Sequence, residues 1–193
     1  MSAAALYNLV SASLLVGACV SMLPIPAHRA AGVLAGILSL FTLAPAVAGL
    51  VGPPSVTLTQ IALLQLCGQR KLVARETTAA ALLVIVALVF YPLSLGLGPF
   101  DPFDIGYRPK LILLALVPIG IALIIHRKHV LLMIGAVDLL AYASGLFENL
   151  WSAFFDPVLI VVCCVSLAKT GTRSLSRGHA AAPCKPNANQ SGS

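Results

Sequence analysis

The stretch TTAAALLVIVALVFYPLSL, residues 77–95, decides the fold class, because it holds no charged residue and is long enough to cross a bilayer as one helix. An α-helix rises ~1.5 Å per residue, so such a stretch reaches roughly 28 Å, close to the ≈ 30 Å of a hydrocarbon core. In lipid the backbone has no water to bond, and a helix satisfies its own N–H and C=O groups.

Outward from this stretch the chain repeats the pattern. It has 193 residues, of which 59% are hydrophobic and 9% charged, with a mean hydropathy of +0.99. A soluble domain carries about 25% charged residues. This chain cannot wet a globule's surface, so its apolar excess must meet lipid. Apolar segments fall at about residues 3–23, 30–51, 77–95, 110–125, 130–147 and 156–168. The predicted fold is therefore all-α, a polytopic transmembrane bundle of about six spanning helices over residues 1–170. A polar tail over 171–193, rich in Ser, Gly, Pro and Asn, is expected to be disordered and cytoplasmic. Residues 55–68 are the ambiguous piece: apolar but brief, with Gln60 and Gln65 inside, a length more typical of interfacial or re-entrant segments. The alternative counts them as a seventh span and puts the N-terminus outside.

The formal net charge is +6. The cations sit in short segments flanking apolar runs, a pattern of membrane orientation that excludes a nucleic-acid groove and favours anionic lipid as the partner of the basic face. Arg70, Lys71 and Arg75 precede the third segment, Arg127 and Lys128 lie between the fourth and fifth, and Lys169, Arg173, Arg177 and Lys185 follow the sixth. Six spans with both termini cytoplasmic put these clusters on one side; Arg29, Arg108 and Lys110 go against that arrangement. No basic region precedes the first apolar run and no clean cleavage site follows it, so this run reads as a retained helix. Compactness and the lack of sorting signals point to a bacterial inner membrane.

Helices in lipid associate through small residues and hydrogen bonds. Gly32 and Gly36 form a G-x-x-x-G pair followed by Ser39, and Ser13, Gly17 and Ser21 share one face of the first segment. Both faces are expected to pack inside the bundle.

Asp138 stands near the middle of the fifth segment, where a carboxylate costs about 2.5–3.5 kcal/mol on insertion scales. Gly135, Asp138, Tyr142, Gly145 and Asn149 follow at three- and four-residue steps and read as one small-and-polar stripe. Asp138 is then either a proton or cation site with Tyr142 beside it, or a hydrogen-bonded tie to another helix. The structural tie is favoured because no second mid-membrane acid or base is visible.

Two loops form a second candidate surface, with Asp101, Asp104 and Arg108 on one and Glu148, Trp151 and Asp156 on the other. An aromatic interfacial belt with acids capping turns and pairing with Arg108 explains them better than calcium, since their spacing matches no calcium loop. His126 and His129 flank Arg127 and Lys128 in a basic turn. Cys163 and Cys164 point in different directions on a helix, and the five cysteines show no C-x-x-C or finger spacing. No metal or cofactor is expected. No H-E-x-x-H, phosphate loop or G-x-S-x-G is present. Three functions remain: a non-catalytic assembly or scaffold component with a membrane-protein partner, a small transporter or channel using Asp138, and a membrane enzyme using the outer acids. The first fits the scarcity of buried polar groups.

Overall fold

A computed structural model describes residues 2–24, 26–69, 76–154 and 156–180, with only the backbone of 50, 51 and 173–180. Among these residues every regular element is helical. In chain order they are α1 (Ala3–Ser21), α2 (His28–Ser39), α3 (Leu43–Val51), α4 (Val56–Leu66), α5 (Thr77–Pro92) with a π-helical turn (Leu93–Leu97), α6 (Pro102–Ile105), α7 (Lys110–Ile125), α8 (His129–Ala143), α9 (Leu150–Phe154) and α10 (Pro157–Ala180). By length and composition, α1 and the α5–π unit (Thr77–Leu97) are each apolar enough to cross a membrane.

Prolines explain the breaks. The predicted helix over 30–51 is in fact two helices, α2 and α3, bent by 76°. Pro45 has no N–H for the Phe41 carbonyl and its ring would collide with it, so the helix breaks in the turn over residues 40–42. Pro92 ends α5 and the chain continues in the π turn, where Gly96 takes φ 82°. Pro118 is accommodated within α7.

Side-chain contacts give each helix a direction. Gly17 meets Gly32 and Ser13 meets Gly36, so α1 and α2 are antiparallel. Tyr7 bonds Thr59 and Gln65 bonds Ser21, so α4 runs parallel to α1. Thr57 bonds Asp138 and Gln60 bonds the Ile134 carbonyl, so α8 opposes α4. Lys128 pairs with Glu76 while Phe90 stacks on Trp151, so α5 runs the same way as α8. The Asp156 carboxylate accepts from Ser55 N and Leu159 N, so α10 starts where α4 starts. The chain thus passes from end to end in α1, α2–α3, α4, α5, α7, α8 and α10. The N-terminus of α1 and the C-terminus of α10 lie at opposite ends.

One end carries Asp101, Asp104, Glu148 and Asp156 with Arg108 and Lys110; the other carries Arg29, Arg127, Lys128 and Lys169 with Glu76. They are called the acidic and the basic end below. Arg70, Lys71 and Arg75 lie outside the described residues.

The ambiguous 55–68 stretch becomes the hub. α4 touches α1, α2, α8, α9 and α10, and Leu58 forms a core cluster with Phe90, Leu159 and Cys163. Its polar residues are inward ties, which is why the stretch reads poorly as a lipid-facing span. The last helix runs to Ala180. Thr170 and Thr172 bond back to the Ser166 and Lys169 carbonyls, so polar side chains continue the helix beyond its apolar part. Residues 181–193, including Cys184 and Lys185, lie outside the described residues.

Candidate functional site: the Asp138 seam and the acidic-end loops

Asp138 is 1% exposed. Thr57 Oγ1 donates to its Oδ2 at 2.6 Å, and Gln60 Nε2 donates to its Oδ1 at 2.8 Å. The same Gln60 nitrogen lies 3.2 Å from the Ile134 carbonyl oxygen. Thr57 and Gln60, three apart on α4, face Asp138 and Ile134, four apart on α8, so two helical turns meet as a ladder. Both carboxylate oxygens are therefore met by a neighbouring helix, which offsets the desolvation that burial imposes. Sequence reasoning found Asp138 but not Thr57 or Gln60; the signal was the pair of polar residues at three-residue spacing in an otherwise apolar run.

The stripe expected on one helical face does not persist. α8 ends at Ala143, and Gly145 takes φ 75°, a left-handed value that turns the chain off its axis. Tyr142 is half-buried one turn beyond Asp138, but Asp138 finds its partners on α4 and not on its own helix. Asn149 belongs to another structure altogether. Its Nδ2 donates to the Phe103 carbonyl and its Oδ1 accepts from Trp151 N. Trp151 Nε1 donates to the Pro102 carbonyl, so Asn149 and Trp151 staple the 145–156 loop to α6. Gly106 is required beneath this staple, because a Cβ there would collide with the Asn149 amide.

The acids of this end do not converge. Asp101 caps Phe103 N, and Asp156 caps α10 while holding Ser55. Asp104 and Glu148 are exposed. A cavity of about 400 Å³ opens there, and Glu148 is the one acid that lines it. The expected pairing with Arg108 is replaced: among the described residues the ion pair is Lys128–Glu76, at the opposite end. His126 closes α7 and His129 opens α8 across a reversal where Arg127 takes φ 54°, so the two do not share one helical turn. Cys163 is buried and Cys164 exposed. Among the described residues no group of three His, Cys, Asp or Glu side chains could hold a metal.

The small-residue faces meet directly. A Cβ added at Gly17 would lie 2.7 Å from the Gly32 carbonyl oxygen, and one added at Gly32 would lie 2.7 Å from the Gly17 carbonyl oxygen. One at Gly36 would come within 3.2 Å of the Ser13 carbonyl oxygen. The buried serines of this seam satisfy themselves, Ser13 on Val10, Ser21 on Ala18 and Ser39 on Gly36.

No family model matches the chain, and neither does any curated protein or solved structure.

Proposed function

We propose that this chain is a polytopic membrane protein with seven traverses, acting as a non-catalytic component of a membrane assembly. The observation that carries the membrane reading is the outward apolar surface. Leu88 on α5 and Leu114 on α7 are each 70% exposed, and Phe41 at the α2–α3 bend is 84% exposed. Water would penalise such a surface; acyl chains would not. The short α4, of ~16 Å, fits as a traverse because other helices surround it. Its entry at Ser55 is fully buried and its backbone N–H is bonded by Asp156, the setting in which irregular backbone is tolerated at membrane depth.

Cytoplasmic loops carry the excess of Lys and Arg, which puts the basic end inside and the N-terminus outside. This accommodates Arg29, and leaves Arg108 and Lys110 as the cations that run against the rule. Anionic lipid at the basic face follows from the same charge, and a bacterial inner membrane is the setting we favour. A reporter fused before Met1 should report from outside and one fused after Ser193 from inside; two internal signals overturn the seven-traverse threading.

The non-catalytic reading rests on the closed coordination of Asp138. A carboxylate committed to Thr57 and Gln60 is a tie between helices. Purification in mild detergent should bring down a membrane-protein partner in fixed stoichiometry, and a chain that runs alone at the size of a monomer counts against an assembly role.

One observation favours transport as a second reading. Asp138 and Thr57 line a cavity of about 270 Å³ between α5, α7 and α8, and Thr57 and Ile134 also line a smaller one, about 100 Å³, that reaches Glu76. Proton or cation flux into proteoliposomes that is lost in Asp138→Asn, with folding intact, would replace the assembly reading by this one.

A further inference from the structure

We infer that the cavity at the acidic end is a binding site for a small organic cation, an ammonium group carried on a compact apolar body. The wall includes Tyr7 and Asn8 from α1, Tyr107 after α6, Phe147 and Glu148 from the loop before α9, and Ser152 from α9. Its volume, about 400 Å³, lies in the roughly 300–1,000 Å³ range of small-molecule pockets.

Two acceptors of the wall are unused. Asn8 Oδ1 is buried and lacks a hydrogen-bond partner, and a buried amide oxygen left so is costly unless something donates to it. Glu148 is exposed, and among the described residues no side-chain hydrogen bond or ion pair engages it. Its neighbours are already committed: Asn149 to Phe103 and Trp151, Asp156 to Ser55 and Leu159. The two cations of this end, Arg108 and Lys110, do not line the cavity. A free carboxylate, an unmet amide oxygen and, among the described residues, no lining cation select a donor with positive charge.

The rest of the wall suits an organic cation better than a metal ion. Tyr7 and Phe147 stand edge to face, with ring centroids 5.4 Å apart, and Tyr107 adds a third ring to the lining. Aromatic faces attract ammonium groups and shed the water that a metal ion would keep. The same ammonium could arrive free in solution or as the headgroup amine of a lipid, because the cavity opens at the level of the helix ends. The lipid source rests on the membrane reading; the free source does not.

Trp151 is the single tryptophan of the chain; it stands between the lining residues Asn149 and Ser152 and its backbone N–H bonds Asn149 Oδ1, so its fluorescence should follow a change in this part of the wall. The full-length chain in dodecyl maltoside is titrated with phenethylammonium chloride and, separately, with 2-phenylethanol, which has the same body without the charge. The ammonium should saturate the signal at a concentration roughly tenfold below the alcohol. Glu148→Gln should bring the two within about twofold of each other, while Glu148→Asp, which keeps the charge, should preserve the discrimination. Equal responses, no saturable response, or discrimination that survives Glu148→Gln overturns the site. Repeating the titration in nanodiscs separates the sources: weaker apparent binding with phosphatidylethanolamine than with phosphatidylglycerol alone identifies the lipid amine as a competitor, and equal binding identifies a free cation. A chain that will not enter nanodiscs undoes the membrane reading, with the detergent titration still deciding the site.

Discussion

The α1–α2 seam and the α4–α8 seam hold helices together by opposite means. At the first, glycines let two backbones touch, and the hydroxyls nearby turn back onto their own helices, exchanging nothing across the contact. At the second, a carboxylate is shared between helices and the contact is made of hydrogen bonds. The first seam depends on the absence of atoms and the second on the presence of particular ones. Substitutions should therefore fail differently at each: any added side chain breaks the first, while only loss of acceptor capacity breaks the second.

The largest effect is expected at Gly32→Leu. Its Cβ would lie 2.7 Å from the Gly17 carbonyl and 2.8 Å from Ser21 Cβ. A backbone cannot yield as a flexible side chain does, so the cost should reach the upper part of the 1–3 kcal/mol typical of overpacking, about 3 kcal/mol. At roughly 2–4 °C per kcal/mol, the melting temperature in detergent should fall by about 10 °C. Gly49→Leu is the control, since a Cβ there meets nothing within 4 Å. Equal melting of the two variants would mean that the glycine seam is not what holds α1 to α2.

Next comes Asp138→Ala, which leaves the Thr57 hydroxyl and one Gln60 donor without their acceptor. About 1–3 kcal/mol is expected, moderated because Gln60 keeps the Ile134 carbonyl. Asp138→Asn retains an acceptor oxygen and should cost less. A double-mutant cycle of Asp138→Ala with Thr57→Val should give a coupling of about 0.6 kcal/mol, at most ~1.7, the scale of interhelical bonds in lipid. Zero coupling would reduce the polar seam to a bystander and leave packing as the whole of the α4–α8 contact.

The two seams were also unequally legible. Four-residue spacing of Gly and Ser marks a helical face whatever the partner, so Gly17, Gly32, Gly36 and Ser13 could be read from the chain alone. Asp138 could be read too, since a mid-helix acid stands out by its cost. Its partners could not, because Thr57 and Gln60 lie in a stretch whose shortness and polarity argue for the membrane surface. The polarity that made α4 look like a poor span is what ties it to α1 and α8. The loop acids were visible as a group, yet their separate tasks depended on which N–H groups the fold placed beside them. Gly106 gave no signal at all, because its need for space comes from Asn149, more than forty residues away in sequence.

The smallest effect belongs to a contact of a third kind, and it calibrates the other two. Lys128 Nζ lies 2.9 and 2.8 Å from the two Glu76 carboxylate oxygens, with the side chains 42% and 17% exposed. Lys128 precedes the first turn of α8, where the helix dipole disfavours a cation, and Glu76 precedes the first turn of α5, where it favours an anion. Glu76→Gln removes the pair and leaves Lys128 facing its dipole alone, so a loss of about 0.5–1 kcal/mol is expected at low ionic strength. Near 1 M salt, where screening acts within about 3 Å, the difference in melting temperature from the parent chain should shrink toward zero. The Gly32→Leu and Asp138→Ala differences should hold across the same salt range, because neither seam trades on charge that solvent ions can reach. A Glu76→Gln deficit that survives 1 M salt would mean that this contact, too, is held by packing, and salt would then no longer separate it from the two seams.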